Sequence, residues 1–250
     1  MGEFDLITRY FKRPAVRSPL GVGDDCALLA PAPGMQLAVS CDMLVEGRHF
    51  LSTVDPVRLG HKALAVNLSD LAACGAKPLA FTLALALPGV DEPWLEGFGR
   101  QRDRAAKGFE SARARMEQPT PRVALGLALR GIASSAVDVS DGLIGDLGHI
   151  LASSGVGATL DADAATALIA VEAPSLSTEI LRTCALSGGD DYELVFTAAP
   201  SARAAVEQAG EDSATCVTRI GRIEADAGLR IVDAAGAPVS QRFGSFDHFV

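Results

Sequence analysis

Strict alternation of bulky and small residues distinguishes one segment of the chain. From Leu79 to Leu87, every second position is Leu or Phe, and the positions between them are Ala or Thr. A period of two predicts a β-strand with one bulky face and one flat face. The flat face can receive either another layer of the same chain or a second subunit.

A helix is predicted upstream of this segment. Asp55 supplies a side chain that caps helix N-termini, and Pro56 suits the first helical position. Gly75 and Pro78 predict its end. Apolar residues recur between them at helical spacing, at Leu64, Leu68, Leu71 and Ala72.

The rest of the pattern predicts an alternation of helices and strands, which is typical of an α/β or α+β protein. Further helices are predicted at Glu3–Phe11 with Phe4, Ile7 and Phe11 on one face, from Pro93, from Thr120 with Val123, Leu127 and Ala128 on one face, and at Leu143–Ala152. Further strands are predicted at Gln36–Cys41, Ala136–Val139, Ala158–Asp161, Tyr192–Thr197, Arg219–Glu224 and Leu229–Val232. The charged, poorly patterned stretch Arg100–Gln118 predicts a boundary between two halves, residues 1–105 and 106–250.

Composition narrows the class of protein. The net charge is −9 and no basic face is evident, so we expect neither nucleic acid nor an anionic membrane as a partner. No apolar run reaches the roughly 18 residues of a membrane span, and the N-terminus has no secretory pattern. The five cysteines form no CxxC pair and fit reduced thiols in a cytoplasmic protein.

Acidic residues cluster at the ends of predicted elements, beside Gly or Ser. They form five groups: Asp24 and Asp25; Ser40 and Asp42; Asn67 and Asp70; Asp138, Ser140 and Asp141; and Asp190, Asp191 and Glu193. Each group alone is weak evidence, because Asp and Gly are common in turns. Together they predict a Mg²⁺ site that handles phosphates, since hard cations take carboxylate oxygens and neutralise polyphosphate.

Several alternative chemistries find no support. The chain has no Walker A motif, no kinase-type Gly-rich loop with its lysine, and no zinc-type ligand cluster. His61 and His149 lie in predicted helices and fit structural roles. His49 follows Asp42 by seven residues and is the better candidate for a site.

A set of motifs along the chain resembles those of bacterial thiamine-monophosphate kinases. They occur in the family's order, at Gly2–Phe4, Gly21–Ala27, Asp42–Phe50, Lys62–Ala76, Val139–Leu143, Ser187–Leu194 and Phe246–Phe249. The resemblance implies ATP-dependent phosphorylation of thiamine monophosphate to thiamine diphosphate. It also implies the two-half aminoimidazole ribonucleotide synthetase-like fold, with an N-terminal half that forms a homodimer and a C-terminal α/β half that covers the nucleotide.

The resemblance also assigns roles to residues. Mg²⁺ would be held by Asp25, Ser40, Asp42, Asp70, Asp138 and Asp141. Ser140 would contact ATP. Thiamine monophosphate would be contacted by His49, Asp190 and Phe246.

Two departures from the family pattern qualify the assignment. Cys41 stands where the family usually has Thr. After Gly99 the chain lacks a segment that in the family supplies a metal-binding Asp, nucleotide contacts and strands of both halves. Both halves are therefore expected to be incomplete. The alternative functions are a non-catalytic relative that binds a thiamine phosphate or only dimerises, and another superfamily member such as a phosphoribosyl-amidine ligase.

Overall fold

The N-terminal residues form a short helix that packs on one further along the chain. The computed structural model describes residues 2–13, 28–29, 31–99, 115–169 and 176–244. Helix α1, Glu3–Leu6, continues as a π-helical turn, Ile7–Phe11. The predicted apolar face is wrong in part: Phe4 is 73% exposed and Tyr10 is the buried residue, whereas Phe11 packs edge-on against Phe98.

Helix α2, Pro56–Ala73, is the longest element described and contacts elements on both sides of the predicted boundary. As predicted, Asp55 caps its N-terminus by accepting hydrogen bonds from the backbone of Val57 and Arg58. Its buried face shares only Ala72 with the predicted one, since Leu64, Leu68 and Leu71 are half-buried. We call the buried face the inner stripe of α2; it consists of Leu59, Lys62, Ala65, Val66, Ser69 and Ala72.

Two short helices pack against α2. Helix α3, Glu92–Phe98, begins at Asp91, whose side chain accepts from the backbone N–H of Trp94. Helix α4, Val123–Ala128, crosses α2 at Gly126, where an added Cβ would lie 2.0 Å from the carbonyl oxygen of Ala72. The prediction for the apolar face of α4 is also wrong, since Leu125, Gly126 and Leu129 are the buried residues.

Neither strand predicted before residue 100 forms. Residues 36–41 and 79–87 pair with no other segment among the described residues. Phe81 is 71% exposed, and the Ala and Thr positions beside it are exposed too. A strand needs a neighbour for its backbone hydrogen bonds and a layer for its apolar face. The alternation is present in the sequence, but the described chain offers neither partner.

The second half holds the described strands. Its elements are β1 (Ala133–Asp138), α5 (Leu143–Ser154), β2 (Gly157–Asp161), α6 (Ala162–Thr166), α7 (Thr178–Ser187), β3 (Leu194–Ala198), a 3₁₀ turn (Pro200–Ala202), α8 (Arg203–Asp212), β4 (Gly221–Glu224) and β5 (Gly228–Val232). The five strands match the predicted ones within a few residues. The sequence analysis did not predict α6, α7 or α8.

These strands form two small sheets over one core. β1 and β3 pair antiparallel, while β2 pairs antiparallel with β4 and parallel with β5. The core between them and helices α5 and α7 includes Leu147, Leu151, Leu160 and Leu186. Within the described ranges, no helix has the length and hydrophobicity needed to cross a bilayer.

Candidate active site

Helix α2 contacts the acidic group of Ser40 and Asp42 through Asn67 and Asp70, which lie about one turn apart. The hydroxyl of Ser40 donates a hydrogen bond to Oδ2 of Asp70. The side-chain oxygen of Asn67 accepts from the backbone N–H of Asp42 at 3.1 Å. The segment around residue 41 forms no sheet here, so these two contacts hold its acidic group against the helix.

The carboxyls in this region repel one another. Partial burial, followed by the charge of Asp70, raises the pKa of Asp42, and nearby His49 opposes the rise. Burial raises the pKa of Asp138 to about 6; the hydroxyl of Ser69 lowers it and Asp70 adds to it. Asp42, Asp70 and Asp138 therefore share one strongly negative region that a cation would stabilise.

The end of β1 is joined to the turn that precedes β3. The backbone N–H of Val139 donates to the carbonyl of Glu193, and the carbonyl of Val139 accepts from the backbone N–H of Tyr192, both at 2.8 Å. The backbone N–H of Asp190 donates to the carbonyl of Ser140 at 2.9 Å. The second-half motifs at residues 138–142 and 188–193 therefore form one backbone-linked unit.

Two residues of this turn have unusual backbone conformations. Asp190 has φ of 63° and Tyr192 has φ of 52°. This left-handed region is unfavourable for residues with a side chain, especially a bulky one such as Tyr. The turn therefore keeps a strained shape in order to place these two side chains.

Lys62, on the inner stripe of α2, bridges the two halves. Its ammonium donates to Oδ1 of Asp190 at 2.8 Å and to the carbonyl of His49 at 3.0 Å. The hydroxyl of Tyr192 donates to the same Asp190 oxygen at 3.0 Å, and the Lys62 nitrogen lies 6.0 Å from the Tyr192 ring centre. No role was predicted for Lys62 or Tyr192 from the sequence.

The environment of Tyr192 shows which acids lie near the bridge. Burial raises the pKa of its hydroxyl, and the carboxylates of Asp190, Asp42 and Asp138 raise it further. Acids from both halves thus surround one buried phenol.

Ser140 and Asp141 lie on the tight turn between β1 and α5. Their backbone N–H groups donate to Oδ2 of Asp146 at 3.0 and 3.1 Å. Gly142 has φ of 105°, and a Cβ there would lie 3.0 Å from the backbone of Ser187. Asp146, which the sequence analysis missed, therefore sets the shape of this turn; its position four residues into the predicted helix gave no clear signal.

A second charged group lies beside the turn that carries Asp190. Glu193 accepts from Arg115 and, through two nitrogens at 2.6 and 2.7 Å, from Arg122. Burial raises the pKa of Asp191 to about 7, with Glu193 adding to the rise and Arg115 opposing it. The charge of Glu193 is compensated by the two arginines, whereas Asp191 is held in an environment that favours its neutral form.

The segment that follows the predicted boundary is fastened to α2. Arg58 forms a 2.7 Å ion pair with buried Glu117, and Nε2 of His61 lies 2.8 Å from the carbonyl oxygen of Pro119. Residues 115–122 therefore contact both α2 and, through the two arginines, Glu193 in the turn before β3.

Comparison with known proteins places the chain in a family. The model for AIR synthase related protein, N-terminal domain, matches residues 23–113, and the C-terminal domain model matches residues 96–234. The chain is 40% identical to a thiamine-monophosphate kinase of Salmonella typhimurium over 323 residues, covering 99% of this chain and 98% of the relative. The chain belongs to the thiamine-monophosphate kinase family.

Solved structures agree with this assignment. The thiamine-monophosphate kinase of Stenotrophomonas maltophilia K279a matches with a TM-score of 0.75 and 34% identity, over 94% of this chain and 96% of that one. AaThiL complexed with AMPPCP and TMP matches with a TM-score of 0.54 and 20% identity, over 82% of this chain and 84% of that one, which shows the shared fold. The chain is thus a kinase-family enzyme with the AIR-synthase-like fold predicted from its motifs.

The prediction of an absent internal segment is also confirmed. The alignment with the Salmonella typhimurium kinase is 323 residues long, whereas this chain has 250 residues. At least about 70 aligned positions of the kinase therefore have no counterpart here.

The structure brings most of the predicted site residues to one region. Ser40, Asp42, Asp70 and Asp138 lie along one end of α2, and His49 and Asp190 meet at Lys62. Ser140 and Asp141 occupy the adjoining turn. Asp25 and Phe246 lie outside the described residues.

The donor chemistry of this region fits Mg²⁺. Carboxylate and hydroxyl oxygens are the ligands that this ion takes. Burial first, and then the charge of Asp70, raises the pKa of both Asp42 and Asp138, and a bound cation would oppose that rise. Among the described residues, no three His, Cys, Asp or Glu side chains come close enough to hold an ion by themselves. Mg²⁺ in proteins often keeps water and substrate phosphate oxygens as further ligands.

Proposed function

We propose that this chain transfers the γ-phosphoryl group of ATP to thiamine monophosphate and so forms thiamine diphosphate. The observation that carries the proposal is that α2 joins an acidic cluster, Asp42, Asp70 and Asp138, to the cross-half pair His49 and Asp190. An acidic cluster that can hold a metal ion, beside a pair of residues that can hold an acceptor, suits phosphoryl transfer from one phosphate compound to another. The kinship with thiamine-monophosphate kinases supports this choice of substrates.

The proposed metal ligands are the carboxylates of Asp25, Asp42, Asp70, Asp138 and Asp141, with the hydroxyl of Ser40. Bound Mg²⁺ would supply charge neutralisation between the carboxylates and the polyphosphate of ATP. Ser140, on the turn that Asp146 shapes, is proposed to contact the nucleotide.

The chain's own residues would act by positioning. His49 and Asp190 are proposed to hold thiamine monophosphate from opposite halves, together with Phe246. The phosphate of the acceptor is itself anionic near neutral pH, so its oxygen can attack without a protein nucleophile. Phosphoryl transfer then depends on an in-line arrangement and on charge compensation rather than on covalent catalysis.

An assay for thiamine diphosphate with saturating Mg²⁺ and ATP tests the proposal. Asp70→Asn should lower turnover at least about 100-fold, because it removes a charge that holds the metal. Asp226→Asn, an exposed and remote change of the same kind, should leave turnover unchanged. Formation of no thiamine diphosphate by the folded wild-type chain would reject the kinase activity.

The alternative function is non-catalytic binding of a thiamine phosphate. The observation that favours it is the absence of about 70 aligned positions, since the family resemblance places nucleotide contacts in the absent segment. Calorimetry with each ligand separately distinguishes the two functions. Binding of thiamine monophosphate without ATP binding would favour the alternative, whereas binding of both with turnover would exclude it.

We further propose that the halves are residues 1–105 and 106–250 and that the first half forms a homodimer. Large apolar side chains are exposed before residue 100, among them Val39 at 81%, Met43 at 76% and Phe81 at 71%. So many large apolar side chains left exposed are typical of a surface that another chain covers. Light scattering at micromolar concentration should give twice the chain mass.

We propose the cytoplasm as the location of the chain. The exposed free thiols of Cys41, Cys74, Cys184 and Cys216 fit its reducing conditions.

A further inference from the structure

Lys62 is an unusual residue for the inner stripe of α2. Its side chain is only 3% exposed, and it is the one buried Lys or Arg in the part of the chain that the structure describes. Burying an ammonium group is costly unless acceptors replace the lost water. The position therefore needs a reason beyond packing, which Leu or Met would serve better.

The contacts of Lys62 converge on the two residues proposed to hold the acceptor. The ammonium joins the side chain of Asp190 in the second half to the backbone carbonyl of His49 in the first, at 2.8 and 3.0 Å. We propose, on the basis of the function proposed above, that Lys62 is a positioning residue that fixes Asp190 and His49 for binding thiamine monophosphate.

The geometry around Asp190 supports a positioning role. Lys62 and Tyr192 both donate to Oδ1, and no donor among the described residues bonds Oδ2. Two bonds to one oxygen fix the plane of the carboxylate and leave Oδ2 for a donor on the ligand. Charge-assisted bonds are also the stronger kind, so loss of Lys62 removes the larger of the two restraints.

The geometry around His49 is fixed in the same way. Its carbonyl accepts from Lys62, and its ring Nδ1 accepts from the backbone N–H of Val45 at 2.9 Å. An accepting Nδ1 places the proton of the neutral ring on Nε2, which becomes a donor. Asp190 and His49 are thus both anchored by contacts that include the same ammonium.

The test compares Lys62→Met with Lys62→Arg and with Lys77→Met, an exposed lysine just beyond the end of α2. Calorimetry should show that Lys62→Met weakens binding of thiamine monophosphate tenfold or more, on the scale of one lost charged hydrogen bond, while ATP binding changes less than about twofold. Lys62→Arg should restore part of the affinity. Lys77→Met should bind both ligands like the wild type.

The outcomes distinguish a failure of the proposed function from a failure of the role proposed for Lys62. If wild type fails to bind thiamine monophosphate, the proposed function and the role of Lys62 are both rejected. If wild type binds it and Lys62→Met binds equally well, or if Lys62→Met loses both ligands alike, the positioning role alone is rejected.

If Lys62→Met does not fold, Tyr192→Phe provides a second test. This substitution removes the other hydrogen bond to Oδ1 of Asp190 and leaves the ion pair between Lys62 and Asp190 in place. It should weaken thiamine monophosphate binding severalfold, less than Lys62→Met, and leave ATP binding unchanged. If Lys62→Met does not fold and Tyr192→Phe and Lys62→Arg both bind like the wild type, the positioning role is again rejected.

Discussion

The described residues before position 100 and those after position 114 carry similar hydrophobic patterns but fold differently. After position 114, five strands form two sheets around a common core in which Leu160 is 1% exposed. Before position 100, the described residues form helices, and the alternating segment 79–87 leaves Leu83 44% exposed and Phe81 71% exposed. One region buries its apolar pattern within the chain, and the other displays it.

The difference shows that an alternating pattern forms a strand only where a partner strand and a covering layer are present. Backbone hydrogen bonds and an apolar layer must come from elsewhere, and an isolated strand has neither. The second half retains both within the described chain. The described residues before position 100 have neither, and about 70 positions of the Salmonella typhimurium kinase have no counterpart in this chain.

The largest expected effect comes from restoring the absent segment. We propose that it belongs in Arg100–Gln118, and that a graft from the Salmonella typhimurium kinase would raise formation of thiamine diphosphate on the order of 10²–10³-fold. The reason is that, by the family resemblance, the graft would return a metal-binding carboxylate, nucleotide contacts and neighbouring strands together. A coupled assay on purified, folded proteins measures the change.

The same graft carrying Asp70→Asn is the matched control and should show no gain. Amide hydrogen exchange provides a structural readout, because segments 36–41 and 79–87 should become protected if they enter a sheet. An unchanged rate in the graft would mean that the present chain already holds its substrates adequately, and that the comparison of the halves has no consequence for catalysis.

A pair of identical substitutions compares the two regions directly. Leu160→Ala in the second-half core should cost about 2–5 kcal/mol of unfolding free energy, because it leaves a cavity in a close-packed site. Leu83→Ala, at an exposed position, should cost less than about 0.5 kcal/mol in the monomer. Urea denaturation at low protein concentration measures both values. A large cost for Leu83→Ala would show that segment 79–87 is packed in solution, as it would be in a dimer.

Local sequence signals predicted the parts of this fold that depend on neighbouring residues. Asp55 and Pro56 begin α2 because capping uses only the first turn. The strands of the second half follow from their alternation. The segments at Gln36 and Leu79 failed because pairing is decided by chain that lies far away or is absent, which no local pattern encodes.

The acidic residues of the candidate site could be predicted from the sequence, but the hydrogen bonds that link them could not. Acidic residues beside Gly or Ser at element ends identified Asp42, Asp70, Asp138 and Asp190. The bridging Lys62 went unnoticed because the helical face was assigned from Leu64 and its repeats rather than from the stripe through Lys62. A lysine in register with Leu59, Val66 and Ser69 was the available signal, since a charge on a buried stripe needs a partner.

A pH dependence of stability reports on the turn at residues 188–193. The pKa of Asp191 is about 7 in the folded chain, above the roughly 3.9 of an unfolded Asp, and burial is the main cause. The folded state therefore binds this proton more tightly than the unfolded state. The stability that results is fully present below about pH 4 and is lost as the pH rises through about 7.

Asp191→Asn should remove this dependence, because an amide of similar shape does not ionise. Without metal or nucleotide, its stability relative to wild type should be near zero at pH 4 and should grow towards pH 8, with a slope of at most about 1.4 kcal/mol per pH unit. Urea denaturation at several pH values measures the difference. Asp226→Asn, at an exposed position, should leave the pH profile as in the wild type. A flat difference for Asp191→Asn would show that the turn is solvated in solution, and that the two halves meet less closely than the bond from Lys62 to Asp190 requires.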